Sequence, residues 1–450
     1  MSAGAGAQTA HAPLATPLTL PAAVAYAREH YPAIAAAMEQ VNVATAGVDV
    51  AHSAFLPRLD SLWQSNRATA NNVFGQLFPQ PVIPALSGPV LSTASAESVW
   101  GSAGGALFSW EPVDFGFRHA GVTSAEAAVA RAKATETLSR LDVETAVAQT
   151  FLTAVAAERT VVVAQADVDR RTVLRQSIQT LVDNQLRPGA DASRADAERA
   201  AAQTRLSQAQ QTLALARITL GRWLGGVTVT AVDGGSMMAS MPEADLPPAA
   251  TSTSHPAVQV HDAAVDQARA AETSLAKTDL PRVYLLGSVF ARGSGASTTG
   301  PFDAGLGGLK LDRANWAAGF QIVFPNLFDI SSLRARKVAA AALTRSEVAL
   351  DDEAKLIVST EQQQADELVR SARAVATNTP IQLAASRQSE IQARARYDAG
   401  LANITEIADA QSALAQAEAQ DALARLDVWR AVLVSAAAQG DLTPFLTLVR

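Results

Sequence analysis

The chain has 450 residues, 48% of them hydrophobic, no cysteine, and a formal net charge of -7. It is long enough to bury a large core, yet it offers no disulfide framework and no thiolate nucleophile or metal ligand, so packing alone must stabilise it. The acidic balance and the lack of any Lys/Arg run exclude nucleic acid as a partner.

Residues 1-17 contain no Lys or Arg and no continuous apolar stretch, so they read as a disordered segment without the parts of a secretory signal. The absence of an N-terminal cysteine predicts a form without a lipid anchor. No window reaches the run of about 18 apolar residues that a membrane-spanning helix needs. β-Barrel strands escape that test, because they alternate polar and apolar residues.

From residue 18 onward the chain says much of what it says twice. "LPRL" at 56-59 and "LPRV" at 280-283 each lie twenty-four residues after a proline, in "YPAI" and "HPAV". A shift of 224 superposes Pro32, Val41, Leu56, Pro57 and Arg58 on Pro256, Val265, Leu280, Pro281 and Arg282. Farther on, a shift of 215 pairs Asp114 with Asp329, Asp191 with Glu406 and Ala195 with Ala410. The first half therefore carries one loop nine residues longer, by the difference of the two shifts.

The first half, 18-224, is predicted as a helix, a β-hairpin at about 57-113 and a long helical hairpin with its tip at about 185-191. In "WGSAGGALFSW" the residues Trp100, Ser102, Gly104, Ala106, Phe108 and Trp110 share one strand face, small in the middle and aromatic at both ends. Extended, that stretch covers about 33 Å, or roughly 24 Å at a 45° tilt, close to the apolar band of an outer-membrane barrel. Residues 123-186 lack Pro and Gly and predict a helix on the order of 95 Å long. Its Leu138, Leu141, Thr145, Ala148, Leu152 and Val155 keep coiled-coil spacing. Arg187-Pro188-Gly189 reverses the chain, and a second helix runs to about Trp223.

Residues 225-254, rich in Gly, Pro, Ser and Thr, read as an equatorial connector. The second half, 255-439, repeats the order with a hairpin at about 281-326. There Trp316, Ala318, Phe320, Ile322 and Phe324 share a face. Helices at 332-398 and 404-439 follow, with a tip at about 397-409 and a break at Ala399-Gly400-Leu401. Residues 440-450 are left as a tail. Four strands cannot close a membrane barrel, so strands must be pooled between chains. Trp63, Trp100, Trp110, Trp316 and Phe324 are the candidate membrane-interface aromatics.

The tandem halves, "LPR" entering each hairpin, "WEPVDFG" and "FPNLFD" leaving it, and "RYDAGLANITEIADAQ" at the second tip resemble the TolC-type outer-membrane channel proteins of efflux and type I secretion systems. The resemblance spans roughly residues 18-439. It implies a mainly α fold with a small β part: a homotrimer whose helical hairpins form an α-barrel in the periplasm and whose strands share a 12-stranded β-barrel in the outer membrane of a Gram-negative bacterium. It further implies a periplasmic adaptor and an inner-membrane transporter as partners, with the outer-membrane lipid around the barrel and long loops, at 67-97 and 292-313, outside the cell.

By the same resemblance the tips close the pore. Asp191, Glu406 and Asp409 match acidic family positions at the constriction, Tyr397 belongs to the closing network, and Gln185, Leu186, Gly189, Gly400 and Leu401 face the adaptor. Two departures stand out. The glycine expected in the first turn is Gln185, with Pro188-Gly189 supplying the bend, and the family's gate arginine is Ala402, for which Arg187 at the matching place in the first half substitutes. No catalytic, cofactor or metal site is expected, since the six histidines are scattered and no HExxH, P-loop or GxSxG context occurs. A soluble coiled-coil scaffold or a periplasmic adaptor is the alternative that the helices alone allow.

Overall fold

A computed structural model describes residues 16–69, 72–74, 87–90, 96–242, 252–297, 302–325 and 329–449. The expected disordered segment therefore lies almost wholly outside the described residues, as does most of the 67-97 loop. The first half contains β1 (Leu18–Thr19), α1 (Leu20–His30), α2 (Pro32–Ser53), β2 (Arg58–Thr69), β3 (Asn72–Phe74), β4 (Ser87–Val90), β5 (Ser98–Val113), α3 (Phe117–Asp183) and α4 (Gly189–Trp223). After β6 (Val232–Asp233) and α5 (Ser236–Ala239) come α6 (Pro256–Ala276), β7 (Arg282–Ser294), β8 (Arg313–Val323), α7 (Ile330–Asp398), α8 (Ile404–Gln439) and α9 (Thr443–Leu448).

The chain forms two compact units. One gathers Asn42–Ala130 and Ala263–Val348; the other gathers Met1–Val41, Arg131–Asp262 and Ala349–Arg450.

The first of these is built on an antiparallel sheet of order β2-β5-β7-β8. Its register assigns each side chain to one of two faces, because directly opposed residues share a face. One face carries Leu59, Trp63, Trp100, Ala106, Phe108, Trp110, Leu285, Val289, Trp316, Phe320 and Ile322. The other carries Arg58, Asp60, Gln64, Asn66, Ser288, Arg292, Arg313, Asn315 and Gln321, around a small apolar cluster of Leu62, Leu107 and Phe290. The apolar face is exposed, with Trp316 at 79% and Phe320 at 76%. A 3-10 turn at Leu306–Leu309 approaches β5 so closely that a Cβ at Gly308 would lie 1.8 Å from the Trp100 carbonyl oxygen, and Ser102 Oγ donates to the Gly308 carbonyl at 2.9 Å.

Helix α3 begins at Phe117, six residues before the expected 123. The earlier start has a cause in Asp114, whose carboxylate accepts the backbone N–H groups of Gly116 (3.0 Å) and Arg118 (2.7 Å). Gly121 then sits inside the helix, where it costs roughly 1 kcal/mol against alanine and is tolerated.

In the other unit, the middle of α3 is buried on more than one side: Val147, Ala148, Phe151, Leu152 and Ala154 are all at 0% exposure. This corrects the expectation that no window is apolar enough to span a membrane, since α3 contains one such 18-residue window. Its core position explains the composition. The same cluster takes in Leu220, Trp429, Leu433 and the fully buried Phe445 of α9, so residues 440-450 form more than a tail. Strands β1 and β6 pair in parallel, which ties the connector to residues 18 and 19.

Candidate functional site at the helical tips

Both long hairpins turn by the same device. After α3, Gln185 donates to the Val182 carbonyl (2.9 Å) and Leu186 to the Leu181 carbonyl (2.8 Å); after α7, Gly400 donates to Tyr397 (2.9 Å) and Leu401 to Arg396 (2.8 Å). These are the paired bonds of a Schellman ending, which needs a left-handed residue at its centre. Gly400 has φ 78° and Gln185 has φ 61°. The expectation that Pro188-Gly189 replaces the missing glycine is thus corrected: Gln185 itself takes the left-handed conformation, Pro188 is the N-cap of α4, and Gly189 is that helix's first residue. A side chain there costs about 1 kcal/mol, so Gln185→Gly is expected to stabilise the protein by up to that amount. Chemical denaturation measures it; a destabilised variant would mean that the Gln185 side chain makes contacts worth more than its backbone strain.

The turns converge on Tyr397, which is 1% exposed and packs with Ile178, Ala192, Ala195, Ile404 and Ile407. Its hydroxyl donates to Asp191 Oδ2 at 3.1 Å. Arg187 places its guanidinium 4.2 Å from the ring centroid and donates to the Tyr397 carbonyl oxygen. Burial, and after it the Asp191 carboxylate, pushes the Tyr397 hydroxyl up to about 12. Arg187, Asp191 and Tyr397 are therefore brought together.

The remaining acids diverge. The backbone N–H of Glu406 is held by the N-cap Asn403 side chain at 3.0 Å, and its carboxylate meets Arg396 Nε at 3.3 Å. Asp191 and Glu406 both occupy the third position of their helices, where the dipole favours an acid. Asp409 is exposed and makes no hydrogen bond or ion pair among the described residues. Leu186 and Leu401, matched across the repeat, are 68% and 72% exposed.

Sequence reasoning missed a buried ionic cluster above the tip. Arg171, itself buried, bonds Asp167 on α3 (3.0 Å), Glu198 on α4 (3.0 Å) and Ser412 on α8 (3.1 Å), while Arg170 pairs with Glu418 on α8 at 2.8 Å. The i,i+4 spacing of Asp167 and Arg171 was the one visible signal; the partners on other helices had none.

Of the interface aromatics, Trp100 and Trp110 stand toward opposite ends of β5, and Trp110 Nε1 donates to the Phe55 carbonyl oxygen at 3.1 Å. Trp63 and Trp316 fall in interior rows of the same face, opposite Gly104 and Val289, and Phe324 lies just past the end of β8.

The same architecture recurs in solved channels. VceC of Vibrio cholerae, described as an outer membrane protein, superposes with a TM-score of 0.72 at 16% identity, covering 94% of this chain and 96% of that one. The CmeC outer membrane channel of Campylobacter jejuni gives 0.76 at 14% identity, with 97% and 90% covered. The MtrE outer membrane channel of Neisseria gonorrhoeae in its open state gives 0.74 at 18% identity, with 94% and 89% covered. No curated protein sequence matches. The profile of the family described as outer membrane efflux protein matches residues 24–226 and 249–434, one stretch for each half of the repeat, and the chain therefore belongs to the outer membrane efflux protein family.

Proposed function

We propose that three copies of this chain form the exit duct through which a tripartite efflux pump, or a type I secretion system, discharges its cargo across the outer membrane. The observation that supports it most is the four-stranded sheet with one apolar, exposed face and two unpaired edges, β2 of 12 residues and β8 of 11. Such edges invite pairing with another chain. Joining β2 of one copy to β8 of the next closes twelve strands, puts the apolar face toward lipid and the polar face toward the lumen. Cell fractionation with native mass in detergent tests this reading, and a soluble monomer would end it.

At the tips, the exposed Leu186 and Leu401, with Gln185, Gly189 and Gly400 beside them, offer an apolar contact for a periplasmic adaptor that couples the duct to an inner-membrane transporter. Asp191, Glu406 and Asp409 form the acidic constriction, each multiplied by three, and Arg187 and Tyr397 hold it shut. Asp409 contributes most to selectivity, because Glu406 is partly neutralised by Arg396. The double variant Glu406→Ala, Asp409→Ala is expected to lower cation selectivity in single-channel recordings, and Asp196→Ala, whose carboxylate pairs with Arg175 at 2.9 Å, to change it less. Unaltered selectivity in the double variant would reduce these acids to helix-end charges.

A further inference from the structure

We propose that a cavity of about 400 Å³ between α3, α7 and α8 binds amphiphilic organic cations. All of its lining belongs to one compact unit, and its size is that of a small-molecule site. Asp142 lines it from α3 and Glu361 from α7, and neither makes a hydrogen bond or an ion pair among the described residues. No lysine or arginine lies on the wall. The third titratable group there, His255, is 5% exposed and has both ring nitrogens in use: Nδ1 accepts the Ala257 N–H at 3.1 Å, and Nε2 donates to the Ala437 carbonyl oxygen at 3.1 Å. A ring that accepts at one nitrogen carries no full positive charge, so the two carboxylates are left without a counter-charge on the wall. Burial holds the Asp142 carboxyl above its ordinary value, against a smaller opposing influence from His255.

A second, independent observation points to a ligand. Thr145 lies three residues after Asp142 on the same face of α3 and lines the cavity, and its Oγ1 is wholly buried with no hydrogen-bond partner. A hydroxyl left without its bond can accept one from an N–H of a bound molecule. Val434, Ala437 and Ala438 bring the last turns of α8 to the wall, and the negative end of a helix favours a cation.

The rest of the wall says what kind of cation fits. Leu141, Ala365, Leu368 and Val434 present an apolar surface, of which Leu141 and Ala365 are almost wholly buried. Asp142, Glu361 and His255 do not converge as metal ligands, since no group of three or more such side chains does so among the described residues. A compact metal ion would leave the apolar wall uncovered, whereas a positively charged nitrogen on a bulky aromatic or aliphatic body satisfies both parts of the lining. As a cation site this stands on the cavity alone. As a station for cargo it rests on the duct, and it makes amphiphilic cations the class of solute that the duct carries.

Ethidium is the probe that tests it, followed by fluorescence anisotropy with the purified chain in dodecyl maltoside and with native mass measured on the same samples. The expected result is saturable binding of ethidium by the wild type, with the dissociation constant raised roughly tenfold in Asp142→Asn, Glu361→Gln. Both side chains are exposed, so their amides keep the fold. Fluorescein, an aromatic anion, should not bind at concentrations at which ethidium saturates. A wild type that ignores ethidium, a double variant that binds it as tightly as wild type, or fluorescein bound equally well overturns the cation site. A trimer that fails to bind loses this site and keeps the duct, while a monomer that binds keeps the site and loses the duct.

Discussion

Val289→Arg destabilises the barrel in a bilayer by about 2 to 4 kcal/mol per chain, whereas Asn315→Arg costs about 0.5 kcal/mol or less. The two positions are close neighbours: Val289 opposes Trp316, and Asn315 opposes Phe290, one residue along each strand. They lie on opposite faces because successive side chains of a strand point to opposite sides. Val289 is 66% exposed and stands in a row with Ser61, Ala106 and Trp316, all on the apolar face. A guanidinium there must stay in hydrocarbon or bend toward an interface, and its desolvation has no partner to offset it. At Asn315 the same group enters the polar face, where Asn315 and Gln321 are themselves exposed and water solvates it. Urea titration of the trimer in phosphatidylcholine vesicles, followed by tryptophan fluorescence, measures both. Equal costs at the two positions would show that no lipid meets this sheet, and a larger cost at Asn315 that the faces are assigned the wrong way round.

The contrast between the faces was legible in the sequence because strand alternation is a local property. Trp100 to Trp110 declared its apolar side without reference to any partner strand. The register was not, since which residue faces Val289 depends on pairing between segments far apart in the chain. That is why Trp63 and Trp316 could be placed on the apolar side but not in its interior rows. The duplication was equally legible, and it reaches deeper than identities: Gln185 and Gly400, 215 apart, share a left-handed backbone although their side chains have nothing in common, and Gly225 and Gly440 do the same at the far helix ends, with φ 75° and 83°. A glutamine gives no signal for that conformation, whereas Pro188-Gly189 carries the strong turn signal of the first bend. The parallel pair of β1 and β6, two residues each, and the buried Phe445 are set by tertiary packing alone. The ion pair of Arg396 with Glu406 was hidden for another reason, since it forms only once the chain has reversed at Gly400.

Arg187→Ala, combined with Tyr397→Phe, is expected to raise the open probability of the reconstituted channel by roughly a hundredfold. Three contacts tie the first tip to the second: the Tyr397 hydroxyl on Asp191, the Arg187 guanidinium on the Tyr397 ring, and its hydrogen bond to the Tyr397 carbonyl oxygen. A net hydrogen bond contributes about 1 kcal/mol, one from a charged donor about 1.5 to 3, and the cation–π contact about 1. Losing all three removes roughly 3 kcal/mol or more, and each 1.4 kcal/mol is a factor of ten in an equilibrium between closed and open tips. Tyr397→Phe alone removes only the hydroxyl's share and should give less than about a tenfold change, because water can replace the donor at the half-exposed Asp191. The proposed latch also has a pH signature. The buried hydroxyl holds its proton up to about 12, while a released Tyr397 would lose it near its ordinary value of 10.0. A group whose pKa is raised in the closed form contributes fully below the lower value and loses that contribution as pH climbs through the upper one. Wild-type channels should therefore open progressively between about pH 10 and 12, and Tyr397→Phe channels should show no such rise. Recordings in which the double variant gates like wild type, or in which Tyr397→Phe keeps the alkaline opening, would mean that the tips are held by the ionic cluster of Arg170, Arg171 and Glu418 instead.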